Sequence, residues 1–242
     1  MTTYFFMRLF FVMVVLGVSS TTLATDADYS PEDLKVLAIK CPNARAWLAL
    51  HGNQQGVQLI QTATSQPTDP ALRAQLIEMS KADADVRNAW INAGSPYPSK
   101  QADAMMALDA KNLPFLQQMV ARYGFPTVSQ VGRDGMDAAW LLVQHADRAP
   151  ALQIKVAKLI QARRGADSPR SNHVAMLRDR ILDNAGRKQL YGTQLTMQNG
   201  KWQPNPSEGT PEEIDKRRAE AAMLPLAENV CVINALVPPG NN

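Results

Sequence analysis

The stretch 134–148, DGMDAAWLLVQHADR, constrains this chain more than any other. Residues three and four apart share a helix face, so Ala138, Leu141, Leu142 and His145 line one side. Asp137, Trp140, Gln144 and Asp147 line the adjacent one. A strand would scatter both sets, so the stretch reads as one amphipathic helix with its apolar face in a core. That face carries His145 inward, where a buried imidazole needs a hydrogen-bond partner to fix its tautomer. Two readings stay open: a satisfied core histidine, or the floor of a polar pocket.

The chain opens with Arg8, an apolar run from Leu9 to Val18 and small residues through Thr22-Leu23-Ala24. This is the layout of a secretory signal peptide, with cleavage expected after Ala24. The run is shorter than the roughly 20 residues that span a bilayer. The 25 basic residues fall to 24 once Arg8 leaves with the leader, against 22 acidic ones. A nearly neutral mature chain gives nucleic-acid binding no support. With no long apolar run remaining, membrane insertion of the mature part is not expected either. The expected location is the periplasm or the exterior, where Cys41 and Cys231 can oxidise to a disulfide. A catalytic thiol is the alternative, but no histidine motif lies near either cysteine in sequence.

Helix signals dominate the remainder. Ser30-Pro31-Glu32-Asp33 caps a helix to about Lys40, and a second runs from Ala44 to Leu50. The polar stretch 62–70 reads as a loop. Asp69-Pro70 begins a long helix to about Ala93, and the next runs from about Lys100 to Tyr123, with Pro114 expected to mark a break or the start of a second segment. Beyond the central helix, 151–162 and 171–184 are helical, with Gln153 bordering the inward face of the first. Asn199-Gly200 is the favoured two-residue hairpin turn. It joins an expected strand 189–197, with Gln189, Tyr191, Thr193 and Leu195 on one face, to 201–203, setting Met197 against Trp202. Thr210-Pro211-Glu212-Glu213 opens a helix whose Lys216-Arg217-Arg218 run reads as a solvated face. A last helix, 226–236, carries Cys231. The expectation is mainly α: a multi-helical single domain with one β-hairpin at about 189–203. An N-terminal helical segment, 25–100, packs with 101–242 as one unit.

Four segments resemble an uncharacterised bacterial family, the domain of unknown function numbered 6624. They are Asp109-x-x-Asn112 with Leu116 and the Gly124-Phe125-Pro126 stop; Trp140-x-x-x-Gln144-His145-x-Asp147 with Gln153; Asp179-Arg180 leading to Gln189-Leu-Tyr191-Gly192-Thr193-Gln194; and Arg217-Arg218 with its Leu-Pro-Leu ending. They cover roughly 107–229, in the family's order. Ala221-Ala222-Met223 and Asn229 depart from it, standing where the family has bulkier residues. The resemblance implies that these polar residues form one constellation, and it supplies no activity.

Two functions compete. One is an exported binding or interaction protein of the cell envelope, of immunity or inhibitor type, for an unknown protein or a small polar ligand. The other is a hydrolase-like enzyme with His145 as general acid or base. Asp179 would orient His145, since Asp147 lies two residues away and points elsewhere on a helix. Tyr191, Gln144, Gln153, Arg180, Thr193 and Gln194 would bind the ligand or stabilise charge. Asp109, Asn112, Trp140, Asp147 and Gln189 are expected in structural polar roles. No nucleophile motif is present. The three histidines, His51, His145 and His173, show no metal-ligand spacing, so no metal or cofactor is expected.

Overall fold

The computed structural model describes residues 29–56, 66–94, 97–163 and 169–237; the leader and residues 62–65 of the 62–70 loop lie outside them. In chain order the elements are α1 (Pro31–Lys40), α2 (Pro42–Gly56), α3 (Pro70–Asn92), α4 (Lys100–Tyr123), α5 (Val128–Gln144), α6 (Pro150–Ala162), α7 (Ser171–Asn184), β1 (Leu195–Gln198), β2 (Lys201–Pro204), α8 (Pro211–Glu220) and α9 (Leu226–Leu236). The fold is mainly α, with one two-stranded antiparallel hairpin among the described residues.

Helices α3 to α7 enclose the largest core, around Leu76, Leu116, Phe125, Met136, Leu142 and Leu177. Trp202 of the hairpin joins Trp90 and Met105 in a second cluster over α3 and α4. In a third, Leu37, Ala44 and Leu48 pack against Val232 of α9, and Cys41 bonds Cys231 in a disulfide. Among the described residues no helix is long and apolar enough to cross a membrane.

Four local expectations are corrected. Helix α4 runs unbroken through Pro114. Proline removes one ladder hydrogen bond, that to the Ala110 carbonyl, and packing of Leu116, Met119 and Val120 outweighs that loss. The span of α5 joins a short turn from Val128, opened by a Thr127–Gln130 capping box, to the expected helix across a non-helical break at Gly132 (φ 73°). That helix stops earlier than expected, at Gln144, because Pro150 forces Ala149 out of the helical region and a short turn intervenes. Asp147 therefore sits in that turn.

The strand expected from Gln189 is short. Only Leu195–Gln198 pairs with Lys201–Pro204, in the expected register with Met197 opposite Trp202. Asn199 and Gly200 adopt the paired left-handed conformations of that turn, φ 52° and 73°. Residues 190–193 instead wrap around a carboxylate of α7. Arg218, read as solvated, is buried at 0 % exposure, because its guanidinium finds two backbone carbonyls inside.

Candidate functional site

The polar residues of the four segments divide into two groups. The first is centred on Asp179, which is 0 % exposed. Its carboxylate accepts the backbone N–H groups of Leu190 (2.8 Å), Tyr191 (3.1 Å) and Thr193 (3.0 Å). Burial raises its pKa, and those three donors offset only part of the effect. Gln189 fastens the same loop as a strand would, accepting from the Gln194 N–H at 2.6 Å and donating to the Gln194 and Asn205 carbonyls. Arg218 closes the loop from α8, donating to the Leu224 and Tyr191 carbonyls at 2.5 and 2.7 Å. Burial lowers its pKa to about 10. Tyr191 thus enters through its backbone, and Thr193 adds a hydroxyl that accepts from Gln194.

Arg180 links this loop to the end of α5. It donates to both Asp147 oxygens, at 2.9 and 2.5 Å, and to Gln194 Oε1 at 3.2 Å. Burial opposes both charges, yet the pairing holds Asp147 below and Arg180 above their ordinary values. Asn184 and Gln153 also donate to Asp147 Oδ1, so four N–H groups in all reach this carboxylate. The Gln153 amide donates to the Val143 and Gln144 carbonyls as well, at 3.2 and 3.1 Å, and so caps the last turn of α5. Trp140 donates to the His173 carbonyl and stacks on its ring.

The second group surrounds His145, which is 2 % exposed. The expected Asp179 partner is not its partner. His145 Nδ1 lies 2.8 Å from Asp83 Oδ2, on α3. Arg87, one turn along, donates to Asp83 at 2.5 Å and to both oxygens of Asp109 at 3.0 Å. Burial pushes the His145 pKa down to about 4, with Arg87 adding to the effect and Asp83 opposing it. Burial likewise pushes the Asp109 carboxyl up to about 6, against Arg87.

His145 Nε2 has no hydrogen-bond partner among the described residues. Neither do Asn112 Nδ2, Gln153 Oε1 or either side-chain polar atom of Gln144. His145, Asp109 and Asp147 line a cavity of about 30 Å³, rimmed by Met106 and Leu113 of α4 and by Arg148. Among the described residues, no group of three or more His, Cys, Asp or Glu side chains could hold a metal ion.

Asp83 and Arg87 were missed by the sequence reading, as was the inward role of Arg218. A signal existed for the pair. Leu76, Asp83, Arg87 and Trp90 fall at helical spacing on one face, so two charges interrupt an apolar stripe. A charged pair placed there must be buried and paired.

No curated protein and no solved structure matches the chain. The model of the family of unknown function DUF6624 matches residues 70–237, a longer span than the four segments and one that takes in α3 with Asp83 and Arg87. The chain belongs to that family, DUF6624.

Proposed function

We propose that this is an exported binding or interaction protein of the cell envelope, of immunity or inhibitor type, taking a protein or a small polar ligand. One observation carries the reading. Asp179, Arg180, Gln189, Thr193 and Gln194, which a catalytic set would have to expose, are buried and bonded to one another and to the backbone. A sealed network bonded in this way specifies a shape and leaves recognition to the surface. The Cys41–Cys231 disulfide and the signal-peptide layout of 1–24 support export. The 25–100 segment and the remainder are proposed to act as one unit, since α1 and α2 pack on α9.

The test passes an envelope extract over the immobilised mature chain and reconstitutes any captured component with it in purified form. A saturable complex of fixed stoichiometry is the expected result. No envelope component forming one would sink the reading.

A hydrolase-like enzyme with His145 as general acid or base is the second reading. A specific observation favours it: His145 Nε2 is unbonded, and its residue lines a cavity with Asp109.

A further inference from the structure

We propose that the basic cleft between the end of α7 and the 187–190 loop is a docking surface for an acidic segment of a partner protein. This rests on the first reading, and it names where the partner binds and what it presents.

The cleft has a volume of about 680 Å³ and is lined by Arg178, Leu182, Arg187, Lys188, Leu190 and Glu208. Arg178 and Leu182 lie one turn apart on the outer face of α7, while Asp179 and Arg180 turn inward. The two leucines are half-buried and the four charged residues exposed, which makes an apolar floor under a charged rim. Three cations against one carboxylate give that rim an excess of two positive charges. The whole mature chain carries the same excess, 24 basic residues against 22 acidic ones, so the remainder is balanced. A concave surface of one sign focuses its field on an incoming partner of the other. Among the described residues, the side chains of Arg178, Arg187 and Lys188 make no hydrogen bond or ion pair. Arg87, Arg180 and Arg218, by contrast, are each bonded inside the fold.

The backbone around the cleft is held without an occupant. The Arg187 N–H donates to the Leu182 carbonyl at 2.9 Å, and the Gln189 N–H to that of Pro206 at 2.9 Å. The Glu208 N–H donates to the Gln189 carbonyl at 2.7 Å. Leu190 is fixed at both ends, its N–H on Asp179 and its carbonyl on Arg217 at 2.7 Å. Arg217 also donates to the Glu208 carbonyl, which sets a further cation against the wall. A surface preformed in this way loses little backbone freedom on binding. The sealed Asp179 network thereby acquires a role, since it holds in place the cations that meet the partner.

The lining selects the occupant. Guanidinium groups pair with carboxylates through two parallel N–H bonds, and arginine clusters are a recurring means of binding acidic segments. Sites for small molecules are mostly apolar and enclose most of the ligand. This cleft is open and its rim is charged, so it fits a segment laid across it. A flat membrane surface would meet the rim and leave Leu182 and Leu190 uncovered. The fitting segment carries Asp and Glu on both sides of an apolar side chain, which seats on the two leucines. Glu208, on the same rim, is left to accept an N–H of the partner.

The test titrates the blocked peptide EDELEDE into the oxidised mature chain at low salt, read by backbone amide NMR. Saturable shifts at Arg178, Leu182, 187–190 and Glu208 are expected, with affinity falling steeply as salt is raised. The double variant R187E/K188E should bind about tenfold more weakly or worse, with an unchanged Tm because both side chains are exposed. Shifts that are absent, that lie elsewhere, or that persist in R187E/K188E overturn the inference. So does equal binding of the uncharged peptide QNQLQNQ. Equal shifts from free glutamate would make this a small-anion site, and tighter binding to phosphatidylglycerol vesicles a membrane site; either result overturns the inference. Failure to form any envelope complex removes the first reading. A complex that forms equally well with R187E/K188E leaves that reading standing and removes this surface.

Discussion

Replacing Asp179 with alanine should destabilise the protein by about 3–5 kcal/mol. The change strips the acceptor from three backbone donors, the N–H groups of Leu190, Tyr191 and Thr193. Each buried donor left unsatisfied costs about 1–3 kcal/mol, which brackets the loss between about 3 and 9. The upper part of that range is not reached. Burial raises the Asp179 pKa, so the carboxylate carries a desolvation penalty that its removal relieves. Water entering the vacated space also satisfies part of the loop. For a domain of this length, about 2–4 °C of Tm accompanies each kcal/mol, so the melting point should fall by about 10 °C. Asp179→Asn keeps the size and one acceptor but points an amide donor at a backbone donor, so it should lose about 2–4 kcal/mol. Urea and thermal unfolding followed by circular dichroism measure both. A loss under about 1 kcal/mol for Asp179→Ala would show that the 190–193 loop does not depend on this carboxylate.

Other perturbations read different parts of the fold. The His145 pKa is depressed on folding, so its stabilising contribution is present above about pH 6.5 and lost as pH falls towards 4. Asp109 has the opposite sign: its pKa is raised, so stability is lost as pH climbs from 3.8 towards 6. The two slopes nearly cancel in the wild type. D109N should therefore lose stability steeply below pH 6, and H145Q should gain it there; identical urea midpoints across pH 4–6.5 in all three proteins would contradict this. Arg218→Met should cost about 3 kcal/mol, because two buried carbonyls lose a charged donor, and a change within about 0.5 kcal/mol would restore the solvated reading. Reducing the Cys41–Cys231 disulfide, which joins residues 190 apart, should cost up to about 5 kcal/mol and open α1–α2 to proteolysis first; unchanged protection of 31–56 would refute the clasp.

Periodicity and caps made most of the fold legible. Helical spacing of apolar residues located α3, α4, α6 and α7, and Asn199-Gly200 set the hairpin register. Tertiary bonding hid the rest. The alternation of 189–195 resembles a strand, but three of its N–H groups turn to Asp179 across the fold, a competitor that no local pattern reveals. His145 was placed inward correctly on its helix face, while its partner came from a helix 62 residues earlier. Asp179 was a plausible partner for a histidine by chemistry alone, and only distance separates the two. Arg218 read as surface because an arginine run usually is; its burial follows from two carbonyls brought together by the 190–193 loop and the Leu224 turn.

The central claim is that the Asp179 network is a sealed framework, distinct from the group around His145. Amide hydrogen exchange at Leu190, Tyr191 and Thr193 tests it most directly. If the carboxylate holds these groups inside the structure, they should exchange as slowly as amides in α5, near the rate set by global unfolding. Exchange close to the rate of an unprotected loop would contradict the claim and return Asp179 to the residues open to a ligand.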